Sequence, residues 1–187
     1  MRSQLLIGDC REKLKEIPDE SVDCVVTSPP YWGLRDYKTE PLIWDCVKGC
    51  QHEWGNERKV RTGRNDSGES PSSGIGFHGQ SDGYGGPTES SQGCICQKCG
   101  AWRGQLGLEP SPDLYIKHLT DIFDQVKRVL KPSGTCWVNL GDSYSGGANN
   151  NDAKKVGGLP DKSLPDKCLV QIPSRFALEM TSRGWIL

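Results

Sequence analysis

Ser28, Pro29, Pro30 and Tyr31 follow a β-branched run, Val25-Val26-Thr27. Proline has no N–H, and Pro30 drives Pro29 into extended backbone. The stretch therefore offers carbonyl oxygens and one hydroxyl, with few backbone donors to compete. Such a rim suits a group that becomes positively charged as it reacts. The exocyclic amino nitrogen of cytosine or adenine is one, its lone pair normally delocalised into the ring. The Ser28 hydroxyl and the Pro29 carbonyl can accept its two hydrogens and favour a tetrahedral nitrogen. They also stabilise its charge as it attacks a methyl carbon, which is oxyanion-hole logic with the sign reversed. Tyr31 offers a face for base stacking, worth ~1–3 kcal/mol per base. A base reaches such a corner only by leaving the duplex, at a cost of roughly a few kcal/mol. An aromatic wall of Tyr31 and Trp32 would offset part of that. Arg35 is placed to contact a DNA phosphate or base, and an ion pair with Asp36 explains it equally. The plainer reading of the whole stretch is a rigid loop after a strand.

A second group of residues suits a metal. Cys96-x-x-Cys99 followed by Gly100 is a knuckle spacing, in which a tight turn aims two thiolates at one ion. Cys50 and His52 supply the other half, with Cys46 and Cys94 as competing ligands. The expectation is a structural Zn2+ on Cys50, His52, Cys96 and Cys99. Free thiols or a disulfide formed in air are the alternatives. Arg58, Lys59, Arg61 and Arg64, with Trp54 and Trp102, make the surrounding loop basic and aromatic. It would suit phosphate contact, or simply solvation.

The elements that must position these residues fall into three regions. Residues 1–37 read as compact α/β, with "QLLIGD" as a strand, "REKLKEI" as a short helix stopped by Pro18, and "VDCVVT" as a buried strand. Asp9 can cap the helix that begins near Cys10. Residues 38–107 hold the Cys/His cluster around a Gly/Ser-rich stretch, residues 62–93, expected to be mobile for want of apolar residues. Doubling a loop costs only about 0.6 kcal/mol in closure, so such an insertion is tolerable. Residues 108–187 return to α/β. Ser111 and Pro112 open a helix whose Leu119, Ile122, Phe123, Val126, Val129 and Leu130 share one face. "KPSG" is expected to turn the chain and "TCWVNLGDSY" to form a buried strand, with Asn139 inside it and Asp142 beside the cleft or in a turn. "PSRFALEMTSRG" reads as a second helix ending at Gly184, and "WIL" as the start of a strand. His118 is expected on the helix surface or packed with a partner, and His78 is assigned no role.

The totals set limits. A net charge of −1 does not itself announce a nucleic-acid partner. No apolar run approaches the ~18–20 residues of a membrane span, and no secretion signal precedes the nine cysteines, so reduced thiols or metal ligands in the cytoplasm are expected. Cys10 and Cys24 read as structural thiols.

"TSPPYWGLRDY" resembles the catalytic motif of S-adenosylmethionine-dependent DNA amino-methyltransferases, which act on N4 of cytosine or N6 of adenine. "IGDCREKLKEIPDESVDCVV" resembles the strand-helix-strand before that motif, and "GTCWVNLGDSY" and "IPSRFALEMTSRGWIL" the elements after it. The arrangement is similar to the permuted subgroup, in which the catalytic motif comes first. The likeness covers residues 4–37 and 106–187. It implies a partial Rossmann-like sheet, interrupted here by the zinc-knuckle, Gly/Ser-rich insertion read from the cysteine spacing, with DNA as partner and S-adenosyl-L-methionine as methyl donor. It further implies Asp9 beside the donor's adenosine, Ser28, Pro29, Pro30 and Tyr31 as catalytic residues, and cytosine favoured over adenine by the serine at 28.

The family's aromatic-x-Gly-x-Gly loop is not found in the sequence. Together with the three-residue "WIL", this leads us to expect a truncated polypeptide that binds the methyl donor weakly by itself. The missing loop would come from a further C-terminal segment or a complementary chain. The rival readings are methylation of RNA or of a protein side chain, and a non-catalytic zinc-stabilised module that binds nucleic acid or a partner.

Overall fold

The computed structural model describes residues 3–34, 36–62, 88–145, 164–165 and 167–187. Asp9 caps a one-turn helix, α1 (Cys10–Lys13), which tightens into a 3-10 turn over Leu14–Glu16 before Pro18. Strand β1 (Val22–Thr27) follows and runs into the Ser-Pro-Pro-Tyr corner. The middle of the chain forms short antiparallel pieces: β2 (Leu42–Trp44), β3 (Lys59–Thr62), β4 (Thr88–Ser91), β5 (Cys94–Ile95) and β6 (Trp102–Gly104). Strands β2, β6 and β5 make one sheet in that order, and β3 pairs with β4 in another. Helix α2 (Pro112–Val129) and strand β7 (Leu130–Val138) complete a crossover that returns the chain parallel to β1. Helix α3 (Ile172–Ser182) lies against α2.

The long helix forms for the reasons its sequence suggests. The Ser111 side chain accepts the Leu114 N–H, Pro112 occupies the first turn, and Leu119, Phe123 and Val126 are buried. Each such burial contributes roughly 1.5–3 kcal/mol. With Trp32, Tyr115, Ile172, Phe176 and Met180 they make the main core. A smaller cluster of Trp44, Trp102 and Ile122 fastens the β2–β6 sheet to the other side of the helix. Lys127 donates to the Arg183 and Gly184 carbonyls, both at 2.8 Å, and so caps the end of α3.

Several expectations change. Residues 4–7 form no strand, and Leu5 and Ile7 are exposed. Strands β1 and β7 are covered on one face only, since Val26 is 78% and Trp137 66% exposed. "KPSG" does not turn the chain away. It is absorbed as an irregularity in the parallel register, where Val22 pairs with Leu130 but Cys24 pairs with Thr135. The strand ends at Val138, so Asn139 is exposed beyond it. Asp142 ties two segments together: its Oδ1 accepts the N–H of Ser143 and of Ile172, the latter at the start of α3. Trp185 to Leu187 form no strand, and Gly184 takes the left-handed backbone expected after the helix. The Gly/Ser-rich stretch is ordered at its far end, where β4 pairs with β3; residues 63–87, with Arg64 and His78, lie outside the described residues. Among the described residues no helix is long and apolar enough to cross a membrane.

Candidate active site and metal centre

The corner sits at the C-terminal end of β1 in the parallel pair. The Asn139 N–H donates to the Thr27 carbonyl at 2.9 Å, which extends the ladder and brings residues 139–141 beside the corner. Ser28 is exposed, and Pro29, Pro30 and Tyr31 are half-buried. The Ser28 hydroxyl lies 3.4 Å from the Tyr31 hydroxyl and donates to it. The Pro30 carbonyl is occupied by the Tyr115 hydroxyl at 2.7 Å. Burial pushes the Tyr115 phenol far up, aided by the Glu109 charge, so it remains a donor. Among the described residues no donor reaches the Pro29 carbonyl. The rim thus holds an exposed hydroxyl whose one hydrogen goes to Tyr31, leaving its lone pairs to accept, beside a carbonyl that no described donor occupies.

Two glycines shape this corner, and neither stood out in the sequence. A Cβ on Gly141 would lie 2.7 Å from Cδ2 of Tyr31, so the ring rests directly over that backbone. Gly107 adopts φ +93°, and a Cβ there would meet Pro30 and the Tyr31 carbonyl at 3.2 Å. The Gly107 carbonyl accepts the Gly33 N–H at 2.8 Å. Glycine spacing alone carries no signal for contacts so distant along the chain.

Trp32 is not the DNA-facing wall expected of it. It is 1% exposed, and its indole N–H donates to the Glu109 carbonyl at 3.0 Å. An indole packed in the core with its one donor satisfied braces the corner from beneath. Asp9 takes the capping role. Its Oδ1 accepts the Arg11 N–H at 2.9 Å, and the Arg11 guanidinium grips both carboxylate oxygens. Burial pushes the Asp9 carboxyl up, but the Arg11 hydrogen bonds outweigh it and hold the group below its ordinary range. Arg35 lies outside the described residues.

The metal ligands expected from spacing do come together. One donor atom from each of Cys50, His52, Cys96 and Cys99 lies within 4.8 Å of the others. Ligands at ~2.3 Å around a tetrahedral ion stand about 3.8 Å apart, so little movement would close this set on Zn2+. The knuckle turn explains the convergence: Gly100, at φ +76°, lets its N–H return to the Cys96 carbonyl at 2.9 Å. On the other side, the Gln97 N–H donates to the Glu53 carbonyl at 2.8 Å and holds the two loops together. His52 points Nδ1 at Cys99 Sγ, 3.4 Å away, and Nε2 at Cys46 Sγ, 3.3 Å away. Cys46 thus stands behind the ring, and Cys94 is buried in β5 outside the four. The thiols share protons unequally. Hydrogen bonding to Cys99, then burial, pushes Cys50 up to about 12. Burial would raise Cys96 too, but N–H donors led by Cys99, together with His52, hold it down to about 6. A donor set of three sulfurs and one imidazole nitrogen fits zinc in chemistry as well as spacing.

The α/β framework carries the corner at the C-terminal end of β1, inside the segment that a family model matches. A family model described as DNA methylase matches residues 22–185, and the chain belongs to that family of N6/N4 methyltransferases. It is 29% identical over 193 residues to the Type II methyltransferase M.SmaI of Serratia marcescens, covering 98% of this chain and 44% of the relative. It is 29% identical over 192 residues to M.Cfr9I of Citrobacter freundii, covering 98% of this chain and 43% of the relative. M.HinfI of Haemophilus influenzae is 42% identical over 50 residues, 27% of this chain and 14% of its own length. The chain spans less than half the length of these curated relatives. No solved structure matches it.

Proposed function

We propose that this chain forms the base-accepting part of a DNA amino-methyltransferase that acts on a flipped base, with N4 of cytosine favoured over N6 of adenine. One observation carries the reading: Ser28 is exposed 3.4 Å from the Tyr31 hydroxyl, beside a Pro29 carbonyl that no described donor occupies. In the proposed step, Ser28 Oγ and the Pro29 carbonyl accept the two amino hydrogens while Tyr31 stacks on the base. Held so, the nitrogen would be poised to bond to the methyl carbon of a sulfonium donor, whose sulfur would leave as a neutral thioether. The cationic nitrogen then loses one proton to solvent. The matching family model, described as DNA methylase, supports DNA as the substrate.

S-adenosyl-L-methionine supplies an electrophilic methyl group on a sulfonium. The described residues fit the amine side of this reaction better than the donor side. Asp9, expected beside adenosine, bonds Arg11 with both carboxylate oxygens and keeps lone pairs for a further donor, so it stays the one described residue proposed for the donor side. We further propose that strands β1 and β7 belong to a Rossmann-like sheet. Residues 38–107 would form an insertion closed by a structural Zn2+ on Cys50, His52, Cys96 and Cys99, a role supported by their convergence within 4.8 Å.

The test is methyl transfer from tritiated donor to DNA, RNA and protein, followed by mass spectrometry of the digested nucleosides. N4-methylcytosine is the expected product. N6-methyladenine would reverse the base preference, and label confined to protein or RNA would end the DNA reading.

A further inference from the structure

Beneath the corner lies a chain of titratable groups, buried at Glu109 and His118, that the proposed chemistry does not itself use. Glu109 and His118 are both 0% exposed. Glu109 Oε1 lies 3.1 Å from His118 Nδ1, and His118 Nε2 lies 3.2 Å from Asp45 Oδ2. The ring thus bridges the two carboxylates through both of its nitrogens. The imidazole is also clamped between the Trp44 and Trp102 rings, with centroids at 4.6 Å and 5.4 Å and tilts of 22° and 20°. Asp45 is held in turn by Lys117.

The other oxygen of Glu109 faces the corner. Oε2 accepts the Gly107 N–H at 2.8 Å. Gly107 accepts the Gly33 N–H at 2.8 Å, and the Glu109 carbonyl accepts the Trp32 indole at 3.0 Å. The turn carrying Tyr31 is therefore fastened from below at two successive residues, 32 and 33, by the segment that the Glu109 carboxyl holds. A buried carboxyl is costly unless fully partnered, and an apolar residue would fill the same space at less cost. What the carboxyl adds is a fixed direction for the Gly107 N–H.

We propose that Glu109 and His118 are positioning residues for the Ser28–Tyr31 corner. Glu109 sets the backbone of Gly107, and His118, clamped between the tryptophans and Asp45, sets Glu109. The inference rests on the methyl-transfer reading for its consequence, but its geometry can be tested without turnover. The protein is labelled with 3-fluorotyrosine, and the Tyr31 fluorine resonance is assigned by its loss in Tyr31→Phe. Thermal unfolding and methyl transfer to DNA are measured on the same samples. Glu109→Ala is expected to move the Tyr31 resonance in the folded protein and to lower kcat about tenfold or more, with KM for DNA little changed. Glu109→Gln keeps an acceptor for the Gly107 N–H and is expected to restore the resonance and most of the turnover. Should Glu109→Ala fail to fold, Gly107→Ala is read instead. It leaves the carboxyl in place, presses a methyl group against Pro30, and is expected to move the same resonance. An unmoved Tyr31 resonance in every folded variant would overturn the proposal, as would a Glu109→Gln protein as displaced as Glu109→Ala. Label confined to protein or RNA would sink the functional reading alone, because the fluorine shifts would still decide the positioning.

Discussion

The Tyr115 hydroxyl donates to the Pro30 carbonyl at 2.7 Å, across 85 positions of sequence. This bond sorts the carbonyls of the corner. Pro30's is committed to helix α2, while no described donor reaches Pro29's. Tyr115→Phe removes the donor and strands a half-buried acceptor. The expected cost is ~1–3 kcal/mol, read as a lowered urea midpoint with an unchanged slope. Methyl transfer should fall with it, because the freed Pro30 carbonyl would compete for the amine.

Ser28→Ala should separate stability from activity. The side chain is exposed, so the variant should unfold within about 0.5 kcal/mol of wild type. Methyl transfer should fall by ~10²-fold, the scale of losing one preorganised polar contact. Single-turnover kinetics would read this, and an unchanged rate would remove Ser28 from the proposed step.

The Cys/His cluster should make the purified protein carry one zinc ion. Elemental analysis is expected to show its loss in Cys96→Ser. Cobalt substitution should give the spectrum of a tetrahedral three-thiolate site. Zinc-finger peptides bind with about 10–16 kcal/mol, so chelation should lower the unfolding temperature and loosen the β2–β6–β5 sheet first. Full zinc content in the Cys50→Ser and Cys96→Ser proteins would place the ion elsewhere.

Asp9 tells capping from cofactor contact through pH. Its folded carboxyl lies below the ordinary range, so it contributes stability that is present above the unfolded value of 3.8 and is lost as pH falls through the folded one. Asp9→Ala should therefore cost about 0.5–2 kcal/mol at pH 7, a loss that fades below the usual carboxylate range. Denaturant melts at neutral and acid pH would show it. A variant with wild-type stability at pH 7 but weakened donor binding would restore the adenosine contact expected from the family.

Local chemistry made much of this protein legible in its sequence. The corner at Ser28–Tyr31, the capped face of α2 and the knuckle at Cys96–Cys99 each depend on residues within one turn or one helix, where backbone preference and side-chain type act directly. Family likeness rested on the corner and on residues 7–26, 134–144 and 172–187. The tertiary structure alone decided how the corner is held. Trp32 meets Glu109 across 77 positions, and His118 meets Asp45 across 73. Hydrogen bonds over such distances leave no periodicity and no spacing rule. The tertiary structure also decided which faces are covered, because the alternation in β1 and β7 marks apolar residues but not whether another element packs on them. That is why Val26 and Trp137, expected inside a buried sheet, stand exposed, while Glu109 and His118 lie wholly inside.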